Sequence, residues 1–324
     1  MITASEKEVS LKLLDSYGLE YANLGNYGDT IAKKILNIPI MDLKMYETVK
    51  GFKPDIFLGL GSIRAAHASF LLRKKCILLE DTESSLEQII LYLPFVNIVF
   101  SPQNFKRDLG NKQVRFNGFK ELAYLHPNYY KPSTAILDEL GLSSHDRYVV
   151  LRFVSWNATH DIGRHGIRDR SRFVEELEKY GRVLITSEGP LERKLSDHKV
   201  SIPPEKMHDL LYHAALYAGE GGTMATEAAL LGTPSVYVSS LASLLGNFIE
   251  LEKKYGLLYC YDDGDKALEK SARLLQEKGI KEEWKRKKDI LINDKIDVTA
   301  FLVEFIENYR LSENGIIADL TRRP

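Results

Sequence analysis

The chain has 324 residues, which at about 150 residues per domain points to roughly two domains rather than one small one. Lys and Arg total 44 against 45 Asp and Glu, a formal charge of −1, with 44% of residues hydrophobic and 27% charged. That balance excludes wholesale disorder, and the lack of basic excess argues against a nucleic-acid partner. The dense cationic run Lys285-Arg286-Lys287-Lys288 lies in a helix of mixed charge and reads as a solvated face.

From the N-terminus, Met1–Ala4 offers a strand remnant, and Ser5 with Glu8 spells a capping box ahead of an apolar stripe at Val9, Leu13 and Tyr17. A doubly wound domain opens with a full strand and a loop into its first helix. The expectation is therefore that the first domain either lacks its opening β-α unit or has an unusual edge. Helices are then predicted over 31–50, 63–72 and 83–92, alternating with strands over 55–60, 75–79, 96–100 and 113–116. Pro, Asn and Tyr cluster between 117 and 132 without a sustained period, which places the interdomain connection near 118–134. Beyond it, strands are predicted over 148–154, 182–186, 216–219, 235–239 and 257–261. Two further helices between Lys281 and Arg310 carry Trp284, Val298, Phe301, Leu302 and Phe305 on their apolar faces. Such alternation marks a parallel α/β fold in two similar halves.

Two uncharged stretches, 88–105 and 228–249, are interrupted by Pro94 and Asn97 and by Gly232-Thr233-Pro234, and read as helix, turn and buried strand rather than membrane spans. No signal peptide is visible. Cys76 and Cys260 lie in apolar strands without CxxC or His spacing, which suggests a reduced, cytoplasmic setting and no metal site. His208 and His213, five apart, do not share a helix face and make a poor metal pair.

The most informative stretch runs from Tyr217 to Pro234, Tyr-Ala-Gly-Glu-Gly-Gly-Thr-Met-Ala-Thr-Glu-Ala-Ala-Leu-Leu-Gly-Thr-Pro. A strand ends in a glycine turn and a short helix begins, so backbone N–H groups at Gly221, Gly222 and Thr223 are offered to an anion such as a diphosphate. Glu227 follows Thr223 by one helical turn, where a carboxylate suits the vicinal hydroxyls of a ribose. After the strand beginning at Tyr148 come Arg152, His160, Asp161 and Arg164, cations and an imidazole fitted to a diphosphate and to proton transfer. Glu188 follows the next strand. Met207 precedes the helix leading into the glycine turn. In the first half, strand ends carry Ser62 and the acids Glu80, Asp81 and Glu83, with Arg64 and His67 on the adjoining helix.

From the glycine turn to the proline, with Glu227 in between, this stretch resembles the nucleotide-sugar site of GT-B proteins, the superfamily of MurG-type glycosyltransferases and UDP-N-acetylglucosamine 2-epimerase. Taken with Asn-Gly-Phe-Lys-Glu-Leu-Ala-Tyr-Leu-His-Pro at 117–127, it is similar to a GT-B-like family of archaea and bacteria, domain of unknown function 354. That resemblance covers nearly the whole chain to about residue 265, and family members usually carry a further strand and helix ahead of the equivalent of Ile2. It implies an acceptor-side Rossmann-like domain over 1–118, a linker over 119–134, a nucleotide-sugar-binding domain over 135–300 and a C-terminal helix and tail over 301–324, with the two domains facing a cleft. It further implies that Gly221, Gly222 and Thr223 stand where the epimerase has Ser-Gly-Gly, and Ser62 where the epimerase has a catalytic Asp; Glu80 resembles its next acid.

The expected activity is transfer of a sugar from a nucleotide sugar, a UDP-sugar first, to an acceptor left open, with no cofactor and no obligatory metal. Arg152, Glu188, Met207, Gly221, Gly222, Thr223 and Glu227 are the expected binding residues, and Glu80, Asp81 and His160 the candidates for acid–base work. Epimerisation at the sugar C2 is the alternative, weakened by Ser62, and a non-catalytic nucleotide-binding or assembly protein is a third reading. Peripheral membrane contact stays open, since acceptors in this superfamily include lipids.

Overall fold

Short runs of Ile, Leu, Val and Phe favour strands where both faces can be covered, and apolar residues at three- and four-residue spacing favour helices that cover them. A computed structural model, describing residues 1–6, 9–26, 28, 33, 36–143, 145–154, 166–187, 189–240 and 242–311, carries out this pattern in two units, Met1–Phe116 and Asn117–Pro324.

The first unit contains β1 (Ile2–Ala4), α1 (Ser10–Ser16), β2 (Tyr21–Asn23), α2 (Ile38–Lys50), β3 (Ile56–Leu60), α3 (Ile63–Leu71), β4 (Lys75–Leu79), α4 (Leu86–Tyr92), β5 (Ile98–Pro102) and β6 (Gln113–Phe116). Strands β3-β4-β5-β6 form one parallel sheet in sequence order, and β1 pairs with β2 in a separate parallel ribbon. Among the described residues β3 pairs only with β4, and Leu58 and Leu60 along it are 51% and 59% exposed. Helix α2 presents Met41, Met45 and Val49 at four-residue spacing to the core, where Ala65, Ala66 and Ala68 of α3 admit close approach to Phe57, Leu78 and Val99.

The helix expected behind a Ser5 cap starts later, at Ser10. Its N-cap position is Val9, which has no side chain able to accept from the helix, and Val9 and Tyr17 are exposed; Glu8 lies outside the described residues. With no residue of α1 buried, its apolar stripe does not serve the core.

The second unit contains α5 (Leu122–Leu125), α6 (Ala135–Glu139), β7 (Tyr148–Phe153), α7 (Arg170–Glu178), β8 (Arg182–Ser187), α8 (Met207–His213), β9 (Leu216–Gly219), α9 (Gly222–Leu231), β10 (Ser235–Val238), α10 (Gly246–Lys253), β11 (Leu258–Tyr261), α11 (Gly264–Gln276), α12 (Ile280–Asp294) and α13 (Val298–Leu311). Its five strands run parallel in the order β11-β10-β9-β7-β8. β7 is the first strand of this unit, and its neighbours β8 and β9 lie to either side. The order therefore reverses between β7 and β9, and the carboxyl ends of those two strands frame the switch point where doubly wound sheets bind ligands. Residues 119–134 contribute α5, whose Leu122 and Leu125 are buried and which packs against α9 and α13. Trp284, Val298 and Phe305 are buried as the sequence predicts, and Trp284 donates its indole N–H to the Leu257 carbonyl at 2.9 Å. No helix among the described residues is long and apolar enough to cross a membrane. Burial pushes the Cys76 thiol up to about 12.

His67 on α3 stitches three helices together. Its Nδ1 lies 2.6 Å from Asp42 Oδ2 on α2 and its Nε2 lies 3.0 Å from the Leu91 carbonyl on α4. Both partners are acceptors, so only the doubly protonated ring satisfies both contacts. The Asp42 hydrogen bond raises the His67 pKa against a smaller opposing effect of burial. Because the folded value lies above the unfolded one, this contribution is complete below about pH 6.5 and fades as pH rises through the folded value. The melting temperature of His67→Gln should therefore fall furthest below that of the natural protein near about pH 6 and approach it as pH rises toward about 9. A gap that widens with pH in paired thermal melts contradicts this assignment.

Candidate functional site

The site of the second unit is built where β9 ends. Gly219 has φ +150°, a conformation L side chains rarely adopt, and a Cβ there would fall 2.4 Å from the Arg152 carbonyl oxygen on β7. Only glycine lets the two strands pair to their ends, with Arg152 opposite Gly219. The Glu220 N–H then donates to the Arg152 carbonyl at 2.9 Å. Helix α9 begins immediately, with Gly221 at its N-cap, no side-chain cap and no acidic residue in its first turn. The leading N–H groups of an α-helix have no partner of their own, so an uncapped start at a strand end leaves donors and a positive dipole for an anion. Thr223 is exposed there, and Gly221 and Gly222 are half-buried.

The turn rests on aromatic and aliphatic support. Tyr217 is fully buried, and its hydroxyl donates to the Gly221 carbonyl at 2.8 Å. A Cβ on Gly221 would meet Arg152 Cγ at 2.8 Å, so the Arg152 side chain lies along the turn. A Cβ on Gly222 would meet Phe248 Cζ at 3.0 Å and the Tyr237 hydroxyl at 3.2 Å. Gly232, in the left-handed conformation, ends α9 and returns the chain to β10.

Two carboxylates flank the turn. Glu220, 4% exposed, accepts from the Val154 N–H at 2.9 Å and the Ile167 N–H at 2.8 Å, and Arg170 Nη2 stands 3.4 Å from its Oε2. It thereby ties together the chain on both sides of 155–165. Arg170 in turn lies over the Phe153 ring, 4.7 Å from its centroid. Glu227, 7% exposed, has one oxygen engaged among the described residues: Oε1 accepts from the Tyr124 hydroxyl at 2.9 Å and sits 3.1 Å from His208 Nε2. The Tyr124 and His208 rings stack, centroids 5.4 Å apart and planes 26° from parallel, while Tyr130 meets His208 edge-on at 6.0 Å. Tyr130 donates to Asp209 Oδ1 at 2.7 Å, and the Ser133 N–H donates to the same oxygen at 3.0 Å, fixing 130–133 on α8.

The structure thus brings Arg152, Gly221, Gly222 and Thr223 to one strand end, with Glu227 one turn along α9. Met207 opens α8, next to His208. Arg152 belongs to β7 itself rather than to the loop behind it. His160, Asp161, Arg164 and Glu188 lie outside the described residues. Sequence reasoning passed over Glu220, Tyr124 and the pairing of His208 with Glu227. An acid between two glycines was the available signal for Glu220, but Tyr124 reaches Glu227 across 103 positions and leaves no local pattern.

In the first unit, Ser62 is the N-cap of α3, its Oγ accepting from the Ala65 N–H at 3.3 Å. Glu80, at the end of β4, is buried; Oε1 accepts from the N–H groups of Asp81 at 3.1 Å and Thr82 at 3.0 Å, and Oε2 from the Tyr92 hydroxyl at 3.0 Å. Burial raises its pKa, with the Thr82 and Tyr92 hydrogen bonds pulling the other way. Asp81 Oδ1 accepts from the Thr82 hydroxyl at 3.2 Å. Arg64 and His67 both belong to α3, and His67 is engaged by Asp42 and Leu91 as described above. Among the described residues no three His, Cys, Asp or Glu side chains are grouped to hold a metal ion.

Parallel sheets with a glycine turn at the switch point of the second unit place the chain in the GT-B fold class. Solved structures agree: UDP-GlcNAc 2-epimerase from Neisseria meningitidis, bound to UDP-GlcNAc, is similar at 14% identity and a TM-score of 0.60 over 95% of this chain and 90% of its own. The spinosyn forosaminyltransferase SpnP is similar at 11% identity and a TM-score of 0.61 over 96% and 92%. Residues 1–310 match the family described as "Protein of unknown function (DUF354)", and the chain belongs to that family. A relative, "Uncharacterized protein MJ0665" of Methanocaldococcus jannaschii, is 24% identical over 238 residues, 69% of each chain.

The geometry makes two predictions about the scaffold. Gly219→Ala should lower unfolding free energy by about 3 kcal/mol in urea titrations, since its Cβ would meet backbone that cannot step aside. Glu220→Gln should cost about 1–3 kcal/mol, because an amide offers one acceptor oxygen where the two N–H groups of Val154 and Ile167 need acceptors on both sides. Wild-type midpoints for either variant would contradict the role given to it.

Proposed function

We propose that the protein is an enzyme that binds a nucleotide sugar, a UDP-sugar first among the candidates, at the β9–α9 turn and transfers the sugar to an acceptor. One observation carries this reading: a nine-tenths-buried carboxylate, Glu227, lies one turn along a helix whose glycine start has no side-chain cap. An anion is favoured at the first position and a hydroxyl-bearing group at the second, and a nucleoside diphosphate presents both at that spacing. In this reading the diphosphate meets the N–H groups of Gly221, Gly222 and Thr223, with Arg152 along the turn adding charge. Those donors stabilise the departing diphosphate as the sugar leaves, without requiring a metal. Glu188 and Met207 are proposed to line the same ligand, and His160 and Asp81 to supply the base, while Glu80 holds the loop that carries Asp81.

Transfer is preferred to C2 epimerisation on the state of Ser62. Epimerisation needs proton-transfer groups on both faces of the sugar, and the Ser62 hydroxyl already serves as a helix cap. Both the epimerase and the transferase among the similar structures fit the fold, which is why the distinction rests on side chains.

The test is a thermal-shift and calorimetric screen with UDP, GDP, TDP and CDP sugars. A nucleotide sugar at 100 times its Kd should stabilise the natural protein by about 2.7 kcal/mol, and Glu227→Ala should lose most of that gain. No response from a folded protein to any of the four would overturn the reading. UDP released only when acceptor is added supports transfer, whereas acceptor-free interconversion of UDP-N-acetylglucosamine supports epimerisation.

A further inference from the structure

Glu227 spends its two oxygens unequally. Oε1 takes both the Tyr124 hydroxyl and His208 Nε2, which fill its two lone-pair directions, whereas Oε2 has no hydrogen-bond partner among the described residues. Carboxylate rotation would cost both of those contacts, so Oε2 is aimed rather than free to wander. Tyr124 itself is 41% exposed although one ring face is covered by the His208 imidazole. A planar aromatic stack, partly open to solvent, therefore stands within hydrogen-bond distance of the carboxylate. In a ribonucleoside the base is attached to the carbon next to the one bearing the 2′-hydroxyl. A ribose held by Glu227 would carry its base within a few ångströms of this stack.

We propose that Tyr124 is a nucleoside-recognition residue: its hydroxyl holds Glu227 so that Oε2 meets the ribose hydroxyls, and its ring, backed by His208, is the platform for the nucleobase. This rests on the nucleotide-site reading above and extends it to a residue from the segment preceding the second sheet. The two halves of the role are separable by chemistry. The hydroxyl acts on the ribose through preorganisation, because a carboxylate already fixed loses less freedom when the ligand binds. The ring acts on the base through stacking, which every base supports. Neither acts on the diphosphate, which is bound at the other end of the first turn of α9.

The experiment compares calorimetric affinities of UDP, 2′-deoxy-UDP and inorganic pyrophosphate for the full chain and for Tyr124→Phe and Tyr124→Ala, with ligand-free melting temperatures as the folding control. Wild type should prefer UDP over 2′-deoxy-UDP by about tenfold, equivalent to about 1.4 kcal/mol, and Tyr124→Phe should shrink that preference to about threefold or less. Tyr124→Ala should weaken both nucleotides by a further factor of about ten, as expected for a lost stacking face. Pyrophosphate should bind all three proteins within about twofold, which a merely structural role for Tyr124 would not predict. Tighter UDP binding by Tyr124→Phe would overturn the proposal, since it would mean that the hydroxyl competes with ribose. Equal loss of pyrophosphate and UDP in Tyr124→Ala would also overturn it. If wild type binds none of the three ligands, the nucleotide-site reading itself fails; if it binds UDP and the variants match it, only the role of Tyr124 fails.

Discussion

Everything at the site of the second unit depends on how closely the end of β9 passes the end of β7. The Arg152 carbonyl occupies the space where a side chain on residue 219 would begin, and the Glu220 N–H closes onto that same carbonyl. A strand held this tightly must turn at once, and the helix that follows has as its N-cap Gly221, which carries no side chain to cap it. Glu220, the acid beside that N-cap, is drawn instead toward the N–H groups of Val154 and Ile167. The carboxylate best placed to cap the helix is thus consumed elsewhere, and the positive end of α9 is left facing outward at the switch point of the sheet.

Two buried glutamates seven positions apart consequently do different work, and burial does not distinguish them. What does is the nature of their partners. Glu220 is met by backbone N–H groups and a guanidinium on its two oxygens, which is how a structural carboxylate offsets the cost of leaving water. Among the described residues Glu227 is met on one oxygen, by side chains that themselves stack and reach in from distant parts of the chain. A buried carboxylate oxygen without a donor among the described residues costs stability rather than adding to it.

Much of this was legible from residue order. The strands predicted over 75–79, 113–116 and 216–219 occur at those bounds, because apolar runs flanked by turn residues leave little alternative. The glycine turn and Glu227 were also readable, since backbone demands and helical spacing are local. The start of the chain was not. Ser5 and Glu8 satisfy the capping pattern, yet the helix begins at Ser10 and buries nothing, so a local motif without a tertiary surface to serve did not fix the boundary. Glu80 looked like a base because it is an acid directly after the end of β4. Only the donors around Glu80, two backbone N–H groups and Tyr92, mark it as a loop organiser. Tyr124 was invisible, because nothing local to residues 122–125 records that they pack against α9.

The same contrast bears on which chemistry the first unit suits. Removing a proton from one face of a sugar ring and returning it to the other takes two groups whose polar atoms are uncommitted. Ser62 has no ionisable group near neutral pH, and its oxygen is already accepting from α3. Glu80 is ionisable but has both oxygens engaged, and breaking them away would unseat the N–H groups of residues 81 and 82. Sugar transfer asks for less: a leaving diphosphate stabilised by fixed dipoles, and one base for the acceptor. The α9 start offers such dipoles by its geometry alone, with Gly221 at the N-cap and no side-chain cap.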